Sequence, residues 1–176
     1  MKTGPAHLEW IYARGHYEVA ALVGGDVDAT VRKAQAGQGA HPTLAFDFWQ
    51  WQIYCTCIEV GFKAFLLSCI PDFAVDEGAA WMKMKKKPLG HNLRGLLDCA
   101  NREGLEQYVV LDKNDHLLID AFNKPFNHRA WIYGENHGSY SFAHPIELQK
   151  LAFKLLTGIH RVCDLHSWGH EMQPPK

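Results

Sequence analysis

The long apolar stretch bounded by Pro42 and Pro71, followed by the phrase Leu89-Gly90-His91-Asn92-Leu93, restricts what this chain can fold into more than any other part of it. Pro42 suits a first helical turn, where its missing N–H costs nothing, and Pro71 pushes the residue before it out of helical dihedrals. The stretch is therefore predicted to form one helix over 42–71, about 43 Å long at 1.5 Å per residue. Placed at 100° per residue, Gln52, Thr56, Glu59 and Lys63 share one face. Phe46, Trp49, Ile53, Val60 and Leu67 share another, with Phe48, Trp51, Ile58, Phe62 and Phe65 on neighbouring positions. A helix apolar over most of its girth needs partners on several sides, which makes it the central member of a bundle. Asp47, Gln50, Gln52, Glu59 and Lys63 make it too polar for a membrane span, which wants about 20 predominantly apolar residues. Glu59 and Lys63 stand four apart in the favourable order and are expected as a plain solvated or structural pair, which at the surface would add about 0.2–0.5 kcal/mol. The line from Gln52 to Lys63 is the one part of this helix with more to offer than packing.

The rest of the chain reads as helices set around that one. Residues 6–23 carry Leu8, Ile11, Tyr12, Val19, Leu22 and Val23 at mostly helical spacings, and Gly24-Gly25 is read as the stop. A third helix starts at Gly90-His91-Asn92, where His91 or Asn92 can cap the exposed N–H groups, with Leu93, Leu96, Leu97 and Ala100 as its inner stripe. The turn Asp112-Lys113-Asn114-Asp115 leads into a shorter helix with Leu117, Leu118, Ile119 and Phe122, which Pro125 is expected to stop. After an aromatic, irregular loop over 126–144, Pro145 opens a last helix with Ile146, Leu148, Leu151, Ala152, Leu155, Leu156 and Ile159 inward. Only a short extended run over 108–111 departs from helix.

A chain of 176 residues with 47% apolar and 21% charged content suits one domain with a proper core. The core is expected over about 6–160, with a C-terminal tail at 161–176. A formal net charge of -1 excludes a global positive field of the kind that wraps nucleic acid over a large surface. Five cysteines, at 55, 57, 69, 99 and 163, form no disulfide framework and suit a reducing compartment. The N-terminal residues lack an apolar signal core, and a cytoplasmic protein without membrane contact is expected.

Two phrases carry a family likeness. Cys57-Ile58-Glu59-Val60-Gly61-Phe62-Lys63-Ala64-Phe65-Leu66-Leu67 and Gly90-His91-Asn92-Leu93-Arg94-Gly95-Leu96-Leu97, with Tyr17-Glu18-Val19-Ala20 ahead of them, resemble the HEPN superfamily of small helical-bundle proteins. The resemblance implies an all-α, HEPN-like up-and-down bundle of four to five helices with a long central helix, commonly a homodimer. It also implies nucleic-acid or nucleotide handling, either as a metal-independent endoribonuclease or as a non-catalytic module that binds RNA, a nucleotide or a protein partner, or that only oligomerises.

Catalytic members of that family carry an Arg and a His about four to six residues apart, because a guanidinium stabilises charge on a phosphate while an imidazole moves a ribose proton. The matching segment here is Arg129-Ala130-Trp131-Ile132-Tyr133-Gly134-Glu135-Asn136-His137, in which seven residues separate Arg129 from His137. Arg129 and His137 are the catalytic candidates, and the longer spacing requires a loop to bring them together. Arg161 and His166 have the family spacing at the far end of the last helix, where a match by chance is expected. Lys83, Lys85, Lys86 and Lys87, with His91 and Arg94 after them, form the one basic cluster and the candidate nucleic-acid contact. Trp131, Tyr133 and Tyr140 can stack a base or plug an end of the bundle. No cofactor is expected. No metal site is expected either, since His160, Cys163, His166 and His170 along one continuous helix cannot converge on one tetrahedral ion.

Overall fold

Helix α2 runs over Ala45–Cys69, inside the interval that its prolines bound. A computed structural model describes residues 5–36, 45–70, 90–128, 145–163 and 174–175, and these residues are helical apart from short connections. Around α2 stand α1 (Pro5–Gln35), α3 (Leu93–Arg102), α4 (Lys113–Asn127) and α5 (Pro145–Cys163), and α2 touches all four. A single 3-10 turn, Leu105–Gln107, follows α3. The protein is thus an all-α bundle with a central helix, as the girth of α2 requires. By length and composition the stretch Trp49–Cys69 would also pass as a membrane span, and 67% of it is buried inside the bundle.

The buried side of α2 is made by Trp51, Tyr54, Cys55, Cys57, Ile58, Phe62, Ala64, Phe65 and Leu66. Facing them from α5 are Leu148, Leu151, Ala152, Leu155, Leu156 and Ile159, all fully enclosed, as the stripe after Pro145 predicts. Gly61 of α2 lets the helices close: a Cβ there would lie 3.0 Å from Leu155 Cδ2. Phe65 meets Tyr108 edge to face with ring centroids 5.7 Å apart, and Trp51 tilts against Phe122 of α4 at 6.0 Å.

Several sequence expectations are corrected. Helix α1 does not stop at Gly24-Gly25 but continues to Gln35. Glycine lowers helix propensity by about 1 kcal/mol relative to alanine and does not block the ladder as proline does. The face of α1 that its large aliphatic residues mark is the outer one: Leu8, Ile11, Tyr12, Val19 and Leu22 are exposed, while Trp10, Ala13, Tyr17 and Ala20 enter the core. On α2, Trp49 is exposed although it shares a face with buried Val60 and Leu67. Pro125 lies inside α4, which ends two residues later at Asn127. The extended run over 108–111 forms no strand among the described residues. Pro42, Pro71 and the aromatic loop after His128 lie outside the described residues.

The helix starts show why the turn residues stand where they do. Asn92 caps α3, its side-chain oxygen accepting from Gly95 N–H at 2.9 Å. A Cβ at Gly95 would sit 2.9 Å from the Asn92 amide nitrogen, so a side chain there would make the capping amide shift. Asp112 caps α4 with a reciprocal box: it accepts from Asn114 and Asp115 N–H, and Asp115 accepts from Asp112 N–H at 2.9 Å. Lys154 of α5 donates to both carboxylates and fastens the two helices.

Gly158 of α5 marks the tightest approach between α5 and the segment after the 3-10 turn. A Cβ at Gly158 would overlap Val109 Cγ2 and stand 2.7 Å from the Tyr108 carbonyl oxygen. Backbone cannot yield as a side-chain tip can. Gly158→Ala is therefore expected to destabilise the protein by about 1–3 kcal/mol, even though alanine favours a helix by about 1 kcal/mol. Urea unfolding of the two proteins measures the difference.

Candidate functional site

Among the described residues the buried polar and charged side chains are His7, Gln50, Glu59, Lys63 and Asp115, and Glu59 and Lys63 pair with each other where α2 meets the start of α3. Glu59 and Lys63 are each only 3% exposed. The Lys63 ammonium donates to Glu59 Oε1, and His91 Nδ1 stands 3.0 Å from Glu59 Oε2. Of the solvated and the structural form expected for this pair, the protein has the structural one, a buried ionic bond. Its second carboxylate oxygen holds an imidazole on the residue just before the Asn92 cap.

The backbone explains the convergence. One helical turn separates Glu59 from Lys63, so both project from the same side of α2. The Asn92 cap fixes where α3 begins and hence where His91 leaves the chain. Phe126, from the last turn of α4, closes the ring from the side, edge to face at 5.7 Å and 82°. His91 remains partly open, its side chain 42% exposed, whereas that of Glu59 is 5% exposed. A line of polar groups thus runs from the bundle interior toward the surface.

A carboxylate accepts and cannot donate, so Nδ1 of His91 carries the proton in this contact. That tautomer makes Nε2 the basic nitrogen of the neutral ring. The arrangement of a buried carboxylate behind an imidazole is the one that orients a histidine for proton transfer or for holding an anion. Taking two charges out of water costs several kcal/mol per ion, and an apolar pair of similar volume is often as stable or more so. Stability alone is a weak reason to keep such a pair.

Arg94, one turn further into α3, is held differently. Its Nε lies 3.1 Å from Asp98 and its Nη1 3.1 Å from Asp120, while its backbone N–H donates to Asn123. Two carboxylates neutralise it and tie α3 to α4. Of the six basic-cluster residues, His91 and Arg94 are described, and they serve separate contacts. Lys83, Lys85, Lys86 and Lys87 lie outside the described residues, as do Arg129 and His137. Arg161 is exposed in the last turn of α5, and His166 and His170 lie outside the described residues. His160 packs its ring on Trp10, with centroids 4.9 Å apart, and Cys163 is buried.

The two buried thiols of α2, Cys55 and Cys57, are held protonated at neutral pH. Burial pushes both Cys55 and Cys57 well above the ordinary thiol range, and the negative Glu59 adds to the effect at Cys55. None of the five cysteines forms a disulfide.

The Gln52-to-Lys63 line was readable in the sequence as the polar interruption of an apolar helix; its partner His91 was not. Histidine beside an asparagine cap reads as another capping residue, and only the fold shows that Asn92 caps while His91 turns back to α2. The site defines the protein as a helical bundle with a buried ionic pair that supports a surface imidazole. No family model, curated protein or solved structure matches the chain.

Proposed function

We propose that this chain is a HEPN-like bundle that handles RNA or nucleotides, with His91 as a contact for a phosphate or a ribose hydroxyl. The observation that carries the reading is the line Lys63, Glu59, His91, a costly buried ion pair that holds one imidazole oriented and partly open. The motif likeness at Glu59 to Lys63 and at Gly90 to Leu93 falls on the same residues. In the catalytic form of the proposal, Arg129 and His137 from two subunits meet at a shared cleft and cleave RNA without metal. His137 takes the proton of the attacking ribose hydroxyl and Arg129 stabilises the charge that gathers on the phosphate. Lys83, Lys85, Lys86 and Lys87 supply salt-sensitive backbone contact.

A second reading, a non-catalytic HEPN-like binding module, is favoured by Arg94. Its guanidinium is already committed to Asp98 and Asp120 and adds little positive field beside His91.

Incubation of RNA with the protein and a chelator, with binding followed by fluorescence anisotropy, separates the readings. The catalytic reading predicts cleavage that falls by about 100-fold or more in Arg129→Ala and in His137→Ala. Binding without cleavage selects the non-catalytic module. In either case His91→Ala weakens RNA binding about tenfold, while Arg94→Ala changes it little. Wild-type protein that neither binds nor cleaves RNA or nucleotides sinks both readings.

A further inference from the structure

The apolar stripe on α1 faces outward, and its sequence has a symmetry that the core does not use. Leu8, Ile11, Tyr12, Val19 and Leu22 are between 40% and 73% exposed. At 100° per residue they fall within about 50° of a common direction, with Gly15 near its centre. Leu8 and Leu22 lie at equal distances from Gly15 along the chain, and so do Ile11 and Val19. The stripe therefore reads nearly the same in both directions over about 21 Å. Asp26, Thr30 and Lys33 follow at the same register positions, so the apolar pattern ends at Leu22.

Gly15 serves no packing need within the chain: a Cβ there would meet nothing within 4 Å. A glycine at the middle of an exposed apolar helix face costs helix stability and allows another backbone to come close.

We infer that this face is a two-fold contact with a second copy of the same chain, α1 against α1 in antiparallel sense, with the axis passing by Gly15. The two-fold operation sets Leu8 of each copy against Leu22 of the other and Ile11 against Val19, which is the self-complementarity that an isologous interface requires. The five apolar side chains leave about 500 Å² open per copy, which is within the ~300–600 Å² of a monomer's largest patch, a size at which such patches are often interaction sites. Complete burial of both stripes would remove about 1,000 Å² from water, and the flanking polar residues are needed to bring the contact to the lower end of specific interfaces, about 1,200 Å². Charge fits as well. Arg14 and Glu18, bonded at 2.8 Å within each helix, lie along one rim, and the two-fold sets Arg14 of each copy between the two Glu18 carboxylates. Glu9 and Glu18 on the rims disfavour the alternative of an anionic membrane surface, which selects lysine and arginine there.

The inference is independent of any reading of the His91 site. Its test is the mass of the protein in solution together with site-directed cross-linking. The wild type is expected to sediment as a dimer at about 50 μM, and Leu22→Glu to be a folded monomer at that concentration, its far-UV circular dichroism unchanged because Leu22 lies outside the core. In a background with Cys69→Ser and Cys99→Ser, Gly15→Cys is expected to form a disulfide-linked dimer under mild oxidation. Leu8→Cys alone should not cross-link, whereas Leu8→Cys with Leu22→Cys should. A monomeric wild type, a Leu22→Glu protein that stays dimeric, or a dimeric Gly15→Cys protein that fails to cross-link would overturn the inference.

Discussion

Glu59→Ala is expected to lower the stability of the bundle by about 3–5 kcal/mol, because it leaves the buried Lys63 ammonium without its counter-charge. A domain of this size commonly has about 5–15 kcal/mol in total, so the variant should be close to unfolding at ambient temperature. Lys63→Ala should act in the same direction for the mirror reason. The double variant Glu59→Leu with Lys63→Met removes both charges and keeps the volume, and it should be within about 1 kcal/mol of the wild type or more stable. Chemical unfolding of the four proteins measures these differences. A solvated pair would give single-variant effects below about 1 kcal/mol, which is what the sequence spacing alone predicts.

Alkaline pH should unfold the protein steeply, and the cause lies again along α2. Cys55, Cys57 and Tyr54 have ionisation raised by burial, and Tyr17 of α1 is raised in the same sense. A group whose folded pKa lies above its unfolded value stabilises the protein fully below the unfolded value and loses that contribution as pH rises. The unfolded thiols titrate near 9.0 and the phenols near 10.0. Each proton that the unfolded chain has released and the folded chain keeps costs about 1.4 kcal/mol of stability per pH unit. From pH 9 the two thiols give a slope of about 3 kcal/mol per unit, and beyond pH 10 Tyr54 raises it to about 4. Partial burial is the largest single effect on Lys154 and lowers its pKa, but the contacts with Asp115 and Asp112 together outweigh it and raise the ammonium, so that its contribution too is lost as pH rises over the high range. Unfolding free energies measured in urea from pH 8 to 11 should stay level to about 9 and then collapse. A level profile to pH 10.5 would mean that these groups reach water.

Where the chain follows its local chemistry, the sequence was enough. The aspartate box before α4, Pro145 at the start of α5 and the leucine stripes of α3 and α5 all act within one or two helical turns. The misses have a different origin. Helix α1 puts Ala13, Ala20, Trp10 and Tyr17 inside and its aliphatic residues outside, so periodicity found the helix and not its inner side. Small residues allow α1 to lie close on α2, and Trp10 is retained there by its indole N–H, which donates to the Leu156 carbonyl at 3.2 Å. The burial of Glu59 and Lys63 depends on what α3 and α4 place over them, and spacing within one helix carries no sign of it. Pro125 stays within α4 because it falls in the last turn, two residues before the helix ends at Asn127. The site was legible only on its α2 side, as polar letters on an otherwise apolar helix.

The central claim is that Glu59 and Lys63 are kept for what they do to His91 and not for stability. The folded double variant Glu59→Leu with Lys63→Met separates these roles, since it retains the bundle and removes the carboxylate behind the imidazole. RNA binding by this variant, measured by anisotropy beside wild type and His91→Ala, is the direct test. The account predicts a folded protein whose affinity falls about tenfold, matching His91→Ala. A folded double variant that binds RNA as the wild type does would contradict it.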